Sequence, residues 1–210
     1  MQIVDNRGLA LRLRHPEKVT AAIPNSRLVS DSAYNVLVKW GVDEATVLRN
    51  LNIRDVPSPI LGKYDWPGRY KPFEHQKTTA SFLTMNRRSF CFNEQGTGKT
   101  ASAIWASDFL IQQKIIKRVL IICPLSIMDS AWRADLFNFA MHRTVDIAHG
   151  AKKKRQEIID SDTEYVIINY DGVEIVKDTI ANGGFDLIII DEATHYKNAQ
   201  SKRWKVLASI

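Results

Sequence analysis

The sequence predicts an α/β fold: a parallel sheet with helices on both faces, preceded by a small α+β N-terminal domain. Three observations carry that prediction. From His75 onward, short apolar runs alternate with amphipathic stretches, and this alternation implies crossover connections and parallel strands. Runs such as Val119–Cys123 and Asp186-Leu187-Ile188-Ile189-Ile190 are continuously apolar and rich in β-branched residues, as strands covered on both faces are. Finally, Gly96-Thr97-Gly98-Lys99-Thr100 stands between an apolar run and an amphipathic stretch, the order strand, tight turn, helix.

The N-terminal domain spans residues 1–56. Leu9, Leu11 and Leu13 alternate with Ala10, Arg12 and Arg14, which reads as a half-buried strand with a partly basic outer face. His15-Pro16-Glu17-Lys18 reads as a turn, and Val19, Ala21 and Ile23 as a returning strand. A helix is expected from Asp31 to Trp40, stopped by Gly41, and a second from Asp43 to Leu51. Pro57, Pro59, Gly62, Pro67, Gly68 and Pro72 make residues 57–72 a linker.

The main domain spans residues 73–210. Its expected elements are a helix from Glu74 to about Asn86, a buried strand Ser89-Phe90-Cys91-Phe92 and a helix from Lys99 to Ile111. The strand Val119–Cys123 and a helix from Ser126 to Phe139 come next. Val145–Ala148 and Tyr165–Ile168 are further strands, separated by a helix from Lys152 to Ile159. Together with the glycine loop, this pattern is that of a RecA-like P-loop domain.

At 210 residues and 45% apolar, the chain can bury one ordinary core plus a small appendage. Its net charge of +6 is compatible with a polyanionic partner without demanding one. No apolar stretch reaches the length of a membrane span, and the N-terminus carries no signal-peptide pattern. Cys91 and Cys123 lie in apolar runs without metal-ligand spacing, which reads as two buried thiols in a reducing compartment.

The glycine turn followed by a helix N-terminus is an anion trap: Gly96, Thr97 and Gly98 let backbone N–H groups converge on a phosphate, and the helix dipole adds to the attraction. Lys99 would reach the β- and γ-phosphates of ATP, and the Thr100 hydroxyl would ligate Mg²⁺. Asn93 stands where the GxxxxGK[ST] pattern has its outer glycine. Asp191-Glu192 follows directly on an apolar run. Two carboxylates at the carboxyl end of a strand suit metal-assisted phosphoryl transfer, with Asp191 on Mg²⁺ and Glu192 deprotonating the attacking water.

Other positions admit two readings each. Gln76 can recognise adenine through its amide or be a polar residue in the first turn of a helix. Pro124 and Ser126 can place a helix N-terminus against a nucleic-acid phosphate, or Ser126 can be an ordinary N-cap. Lys152-Lys153-Lys154-Arg155 can touch a phosphate backbone or form a solvated helix face, and so can Lys197, Lys202, Arg203 and Lys205. Trp132 reads as core packing.

Taken in order, these segments resemble the first motor domain of superfamily 2 helicases, most closely the Swi/Snf-type DNA translocases. Pro72–Gln76 looks like the family's nucleotide-base motif, and Asn93–Thr100 is similar to its Asp-Glu-Met-Gly-Leu-Gly-Lys-Thr, which lacks the outer glycine too. Leu120–Ser126 with Trp132 and Asp135 resembles the Cys-Pro-Leu-Ser segment and its downstream Trp-x-x-Glu. Ile167–Tyr170 looks like the strand that ends in Thr-Tyr or Asn-Tyr. Asp191–Asn198 is similar to Asp-Glu-Ala-His-Arg-Ile-Lys-Asn, with Thr194 in place of the His. The resemblance covers residues 70–210. It implies an adenine contact at Gln76 and nucleic-acid contacts at Pro124, Ser126 and Tyr170.

The family's motor has two RecA-like domains with ATP between them, and the second supplies an arginine finger. The resemblance therefore implies that this chain is the N-terminal part of a longer ATP-dependent helicase or translocase, with ATP and Mg²⁺ as cofactors. It also implies double-stranded or branched DNA as partner, a role in repair, recombination or remodelling, and turnover that is weak without the second domain. The expected location is intracellular, cytoplasmic and nucleoid-associated rather than nuclear, with no membrane partner. Two alternatives stand beside it: the motor part of a restriction or RNA-remodelling enzyme, or a non-catalytic binding fragment with an inert half-motor.

Overall fold

The computed structural model describes residues 1–193, 198 and 200–210. It divides into two compact units, residues 1–65 with 74–92, and residues 66–73 with 93–210. Residues 57–72, expected as a linker, are thus shared between the units, and the helix after them belongs with the first.

The first unit is built on a four-stranded antiparallel sheet ordered β1-β2-β4-β3, from β1 (Gln2–Val4), β2 (Gly8–Leu11), β3 (Arg27–Leu28) and β4 (Val36–Lys39). Leu9 and Leu11 of β2 lie opposite Val38 and Val36 of β4. Together with Val19, Ile23, Trp40 and Leu48 they form one buried cluster. The helices are α1 (Pro16–Ala22), α2 (Val42–Asn50), α3 (Ile60–Lys63) and α4 (Glu74–Met85). Helix α4 is tied into the unit by the Ser58–Thr84 hydroxyl pair at 2.7 Å and by Arg49 donating to the Met85 carbonyl at 3.0 Å.

Four expectations are corrected here. Residues 16–22 form a helix rather than a turn and returning strand. Pro16 sits in the first turn, where its missing N–H costs nothing, and Val19 and Ile23, four apart, share the core face. Residues 36–39 form a strand rather than the end of a helix. Val36, Val38 and Trp40 alternate into the core, and their shape suits a pleated surface. Finally, Ser89–Phe92 does not join either described sheet. Phe90 and Phe92 are 70% and 89% exposed and stack on each other at 5.7 Å. An apolar run becomes a strand only when a ladder partner takes up its backbone groups, and these residues find none among the described strands. Cys91, expected as buried, is only partly covered, whereas Cys123 is fully buried; both are free thiols.

The second unit is the parallel sheet the sequence predicts, ordered β6-β7-β5-β8. Its strands are β5 (Val119–Cys123), β6 (Val145–Ile147), β7 (Tyr165–Asn169) and β8 (Leu187–Ile190). Every strand pair is parallel, with Ile122 level with Ile168 on one side and Ile190 on the other. The unit's helices are α5 (Lys99–Gln112), α6 (Ala134–Phe139), α7 (Lys152–Ile159), α8 (Tyr170–Ile175), α9 (Lys177–Asn182) and α10 (Lys202–Leu207).

Alternate residues of β5 serve opposite faces. Leu120 and Ile122 pack with Ile159, Val173 and Ile180 from α7, α8 and α9. Val119, Ile121 and Cys123 pack with Ile104 of α5, Met128, Trp132 and Leu136. Each fully buried aliphatic side chain adds about 1.5–3 kcal/mol relative to exposure. Strand β8 lies at the edge of the described sheet, and its residues are less covered than those of β5.

Between β5 and α6 the expected single helix is divided. A 3₁₀ turn over Leu125–Ile127 passes into a π-helical segment over Met128–Arg133 before α6 begins.

Candidate functional site: a phosphate loop and an acidic strand end

The glycine loop has the backbone its sequence requires. Gly96 and Gly98 have φ of 75° and 76°, the left-handed region that side-chain-bearing residues enter at a cost. Gly98 is the N-cap of α5 and offers no side chain to cap the helix. A Cβ built on Gly96 would meet nothing within 4 Å, so the loop is open above its amides. Lys99 folds back on the loop, donating to the carbonyls of Asn93 at 2.9 Å and Glu94 at 2.8 Å. Thr97 donates to the Glu94 carbonyl at 2.8 Å. Thr100 occupies the second position of α5, and its hydroxyl has no partner among the described residues.

This chemistry fits a nucleotide phosphate: a glycine turn at the positive end of a 14-residue helix, a lysine within one turn and an available hydroxyl. The loop is not, however, launched from a strand beside β8, because Ser89–Phe92 stays outside the sheet.

The direction of α5 sets the loop's place. Ser107 of α5 meets the Tyr165 hydroxyl, at the amino end of β7, at 3.0 Å. The next residue, Asp108, is 1% exposed and receives Arg143 at 2.6 Å and His142 at 3.0 Å, just before β6. Helix α5 therefore runs against the strands. From Ser107 back to Lys99 the helix rises about 12 Å, which matches the roughly 13 Å of strand from Tyr165 to Asn169. Lys99 stands at the opposite end of α5 from these anchors.

Asp191 stands at the carboxyl edge of the sheet, directly after β8, its N–H still bonded to the Ile122 carbonyl at 2.9 Å. Its side chain is held from two directions. Oδ2 accepts the Trp132 indole N–H at 2.9 Å, and Oδ1 accepts the N–H of Glu192 at 2.9 Å. The Tyr170 hydroxyl donates to the Asp191 carbonyl. Glu192 is exposed, and its φ of 49° places it in the left-handed region, where a non-glycine residue is strained. Burial, and then the nearby Asp191 carboxylate, push the Cys123 thiol up to about 12.

The remaining predicted residues fall in distinct places. Gln76 is half-buried in the first turn of α4, within the first unit. Pro124 caps the 3₁₀ turn after β5 at the carboxyl edge, and Ser126 is exposed inside that turn rather than serving as its N-cap. Tyr170 is 7% exposed, with its hydroxyl on Asp191 and its ring facing the Arg203 guanidinium at 5.7 Å.

In the basic cluster, Lys152, Lys153 and Lys154 are exposed, whereas Arg155 is buried. Arg155 donates to the carbonyls of Gly150 and Ala148 and to the Asn169 side chain. That arginine is structural, and the reading of the four as one solvated face holds only for the lysines. Thr194 and Lys197 lie outside the described residues.

Sequence reasoning missed two contributors. Trp132 reads as packing, but its N–H is spent on Asp191, and no local pattern announces a contact across 59 residues. Asp108 reads as one polar residue in a helix, yet it anchors α5 to the loop before β6.

A glycine loop opening into a helix on a parallel sheet, with an acidic pair at the carboxyl edge, defines a P-loop domain of the RecA-like class. Within that class the chain belongs to the SNF2-related domain family, whose sequence model matches residues 75–210.

Among curated proteins, it is 29% identical over 192 residues to Helicase SWR1 of Eremothecium gossypii, covering 88% of this chain and 13% of that protein. It is 30% identical over 118 residues to the ISWI chromatin-remodeling complex ATPase ISW2 of Saccharomyces cerevisiae, covering 52% of this chain and 10% of that one. The chain thus spans a small fraction of these relatives' length. Among solved structures, it superposes on the Sulfolobus solfataricus SWI2/SNF2 ATPase core in complex with dsDNA with a TM-score of 0.59 at 24% identity. That match covers 69% of this chain and 31% of the other.

Proposed function

We propose that this chain is the N-terminal motor part of an ATP-dependent DNA translocase, in which hydrolysis is coupled to movement through a second RecA-like domain. The observation that carries the reading is Asp191-Glu192 at the carboxyl end of β8, the side of a parallel sheet where α/β folds bind ligands, in a chain whose glycine loop with Lys99 opens α5.

In this reading, the amides of Gly96–Thr100 receive the phosphates of ATP, and Lys99 exchanges its two loop carbonyls for β- and γ-phosphate oxygens. Thr100 and Asp191 would hold magnesium, which would neutralise the developing phosphate charge. Glu192 takes a proton from water as that water's oxygen bonds to the γ-phosphorus and the bond to the ADP oxygen breaks.

Pro124 and Ser126, on the exposed turn after β5, contact a backbone phosphate of duplex DNA. Support for DNA as the track comes from the dsDNA held by the archaeal core named above. Tyr170, being nearly covered, acts by holding Asp191 rather than by touching DNA. An intracellular, nucleoid-associated location belongs to the same proposal.

ATPase activity of the full-length protein, measured with and without duplex DNA and with RNA, tests the reading. Duplex DNA is expected to stimulate turnover and RNA is not. Lys99→Ala abolishes nucleotide binding or turnover. Glu192→Gln keeps nucleotide binding and lowers turnover by about 10²–10⁴-fold. The 210-residue chain alone turns over roughly 10³–10⁵-fold more slowly, without an arginine finger in trans. Near-full turnover in Glu192→Gln refutes the assignment of the base.

A further inference from the structure

Asp191 is fastened by an element that no phosphate-site pattern contains. Trp132 is 3% exposed, lies in the π-helical segment Met128–Arg133, and delivers its indole N–H to Asp191 Oδ2 at 2.9 Å. A π-helical segment shifts the helix register, and such segments recur at functional sites. Here it coincides with the residue whose N–H reaches the carboxylate, while the Trp132 ring packs on Ile121, Cys123 and Ile167. The other oxygen of Asp191 accepts the N–H of Glu192. Each carboxylate oxygen therefore already accepts one hydrogen bond, and a lone pair on each is left to face a cation. An indole N–H can only donate, so it fixes the carboxylate rotamer without competing for the metal.

We propose that Trp132 is a positioning residue for magnesium: its indole N–H locks the Asp191 carboxylate in the orientation that binds the ATP-bound cation. This rests on the reading of Asp191 as the magnesium ligand. Outer partners of metal ligands are worth about 10–100-fold in metal affinity or activity. The same turn carries Pro124 and Ser126 at its start, so the residues proposed to touch DNA and the residue that orients Asp191 belong to one continuous stretch of chain.

The test compares Trp132→Phe and Trp132→Leu in the full-length protein under saturating duplex DNA. Both remove the donor, but phenylalanine keeps an aromatic ring. The expected result is the same rise in half-saturating Mg²⁺, about 10-fold or more, in both variants, with a larger loss of Tm in the leucine one. A Mg²⁺ requirement that merely follows the loss of Tm, small in Phe and large in Leu, overturns the proposal.

A readout independent of turnover uses the 210-residue chain, which has five tryptophans. The indole ¹⁵N–¹H resonance lost in Trp132→Phe identifies Trp132. That resonance is expected to shift in Asp191→Asn and to broaden when Mn²⁺ is added with a non-hydrolysable ATP analogue. An indole signal indifferent to both overturns the proposal while leaving the proposed function standing. Failure of the unsubstituted protein to hydrolyse ATP or to bind Mn²⁺–nucleotide removes both together.

Discussion

The two halves of the candidate site are held in opposite ways. On the phosphate loop, Lys99 and Thr97 bond to the nearby carbonyls of Asn93 and Glu94, and the glycines supply the curvature. The acidic end is held by its surroundings, with Trp132, Tyr170 and the Ile122 carbonyl, from three different elements, converging on Asp191. The difference separates stability from chemistry. A side chain that bonds only to its own loop can be removed without loosening the fold, whereas one that collects buried donors cannot.

Asp191→Ala breaks the comparison most forcefully. It strands the buried Trp132 N–H, so a stability loss of about 1–3 kcal/mol is expected alongside loss of turnover, read by urea denaturation of the 210-residue chain. Tyr170→Phe removes one donor to the Asp191 carbonyl and is expected to cost about 1 kcal/mol, in the same assay. On the loop side, Lys99→Ala should leave the urea midpoint within about 0.5 kcal/mol of the parent while abolishing nucleotide binding. A large stability loss there would erase the contrast between the halves.

A separate effect, confined to alkaline pH, concerns Cys123, whose thiol is pushed up to about 12 by burial and by Asp191. Between the ordinary thiol range near pH 9 and pH 12, the unfolded chain has lost a proton that the folded chain keeps, so stability falls as pH rises through that window. Cys123→Ser should flatten that part of the stability curve, and maleimide at pH 8 should label Cys91 well before Cys123.

What the sequence made legible follows the same physical divide. Strand β5, and β7 up to Asn169, are apolar because both faces are covered, and a run of that kind, which β8 shares at the less covered edge, reads without ambiguity. The loop glycines and Lys99 were legible because a short backbone shape demands them.

In the small antiparallel unit the signal fails. Val19, Ala21 and Ile23 satisfy a period of two, while Val19 and Ile23 also satisfy a helical spacing. Seven residues are too few to choose between them, and only Pro16 in the first turn does. Val36, Val38 and Trp40 alternate, yet Asp31 and Gly41 mimic helix ends. Ser89–Phe92 shows the converse: apolar character is local, but a strand is a property of its partner. The Trp132–Asp191 bond was illegible because it joins distant segments through a change of helix register.

Strand β8 ends the described sheet with Leu187-Ile188-Ile189-Ile190, an apolar row with no lysine, proline or glycine to blunt it. Such a border is a template on which any extended peptide can continue the ladder. The consequence is colloidal: the repulsion from a net charge of +6 works against a sticky margin, and salt, by screening the first, favours the second. Added salt is therefore expected to raise association of this chain, which light scattering across a salt series checks.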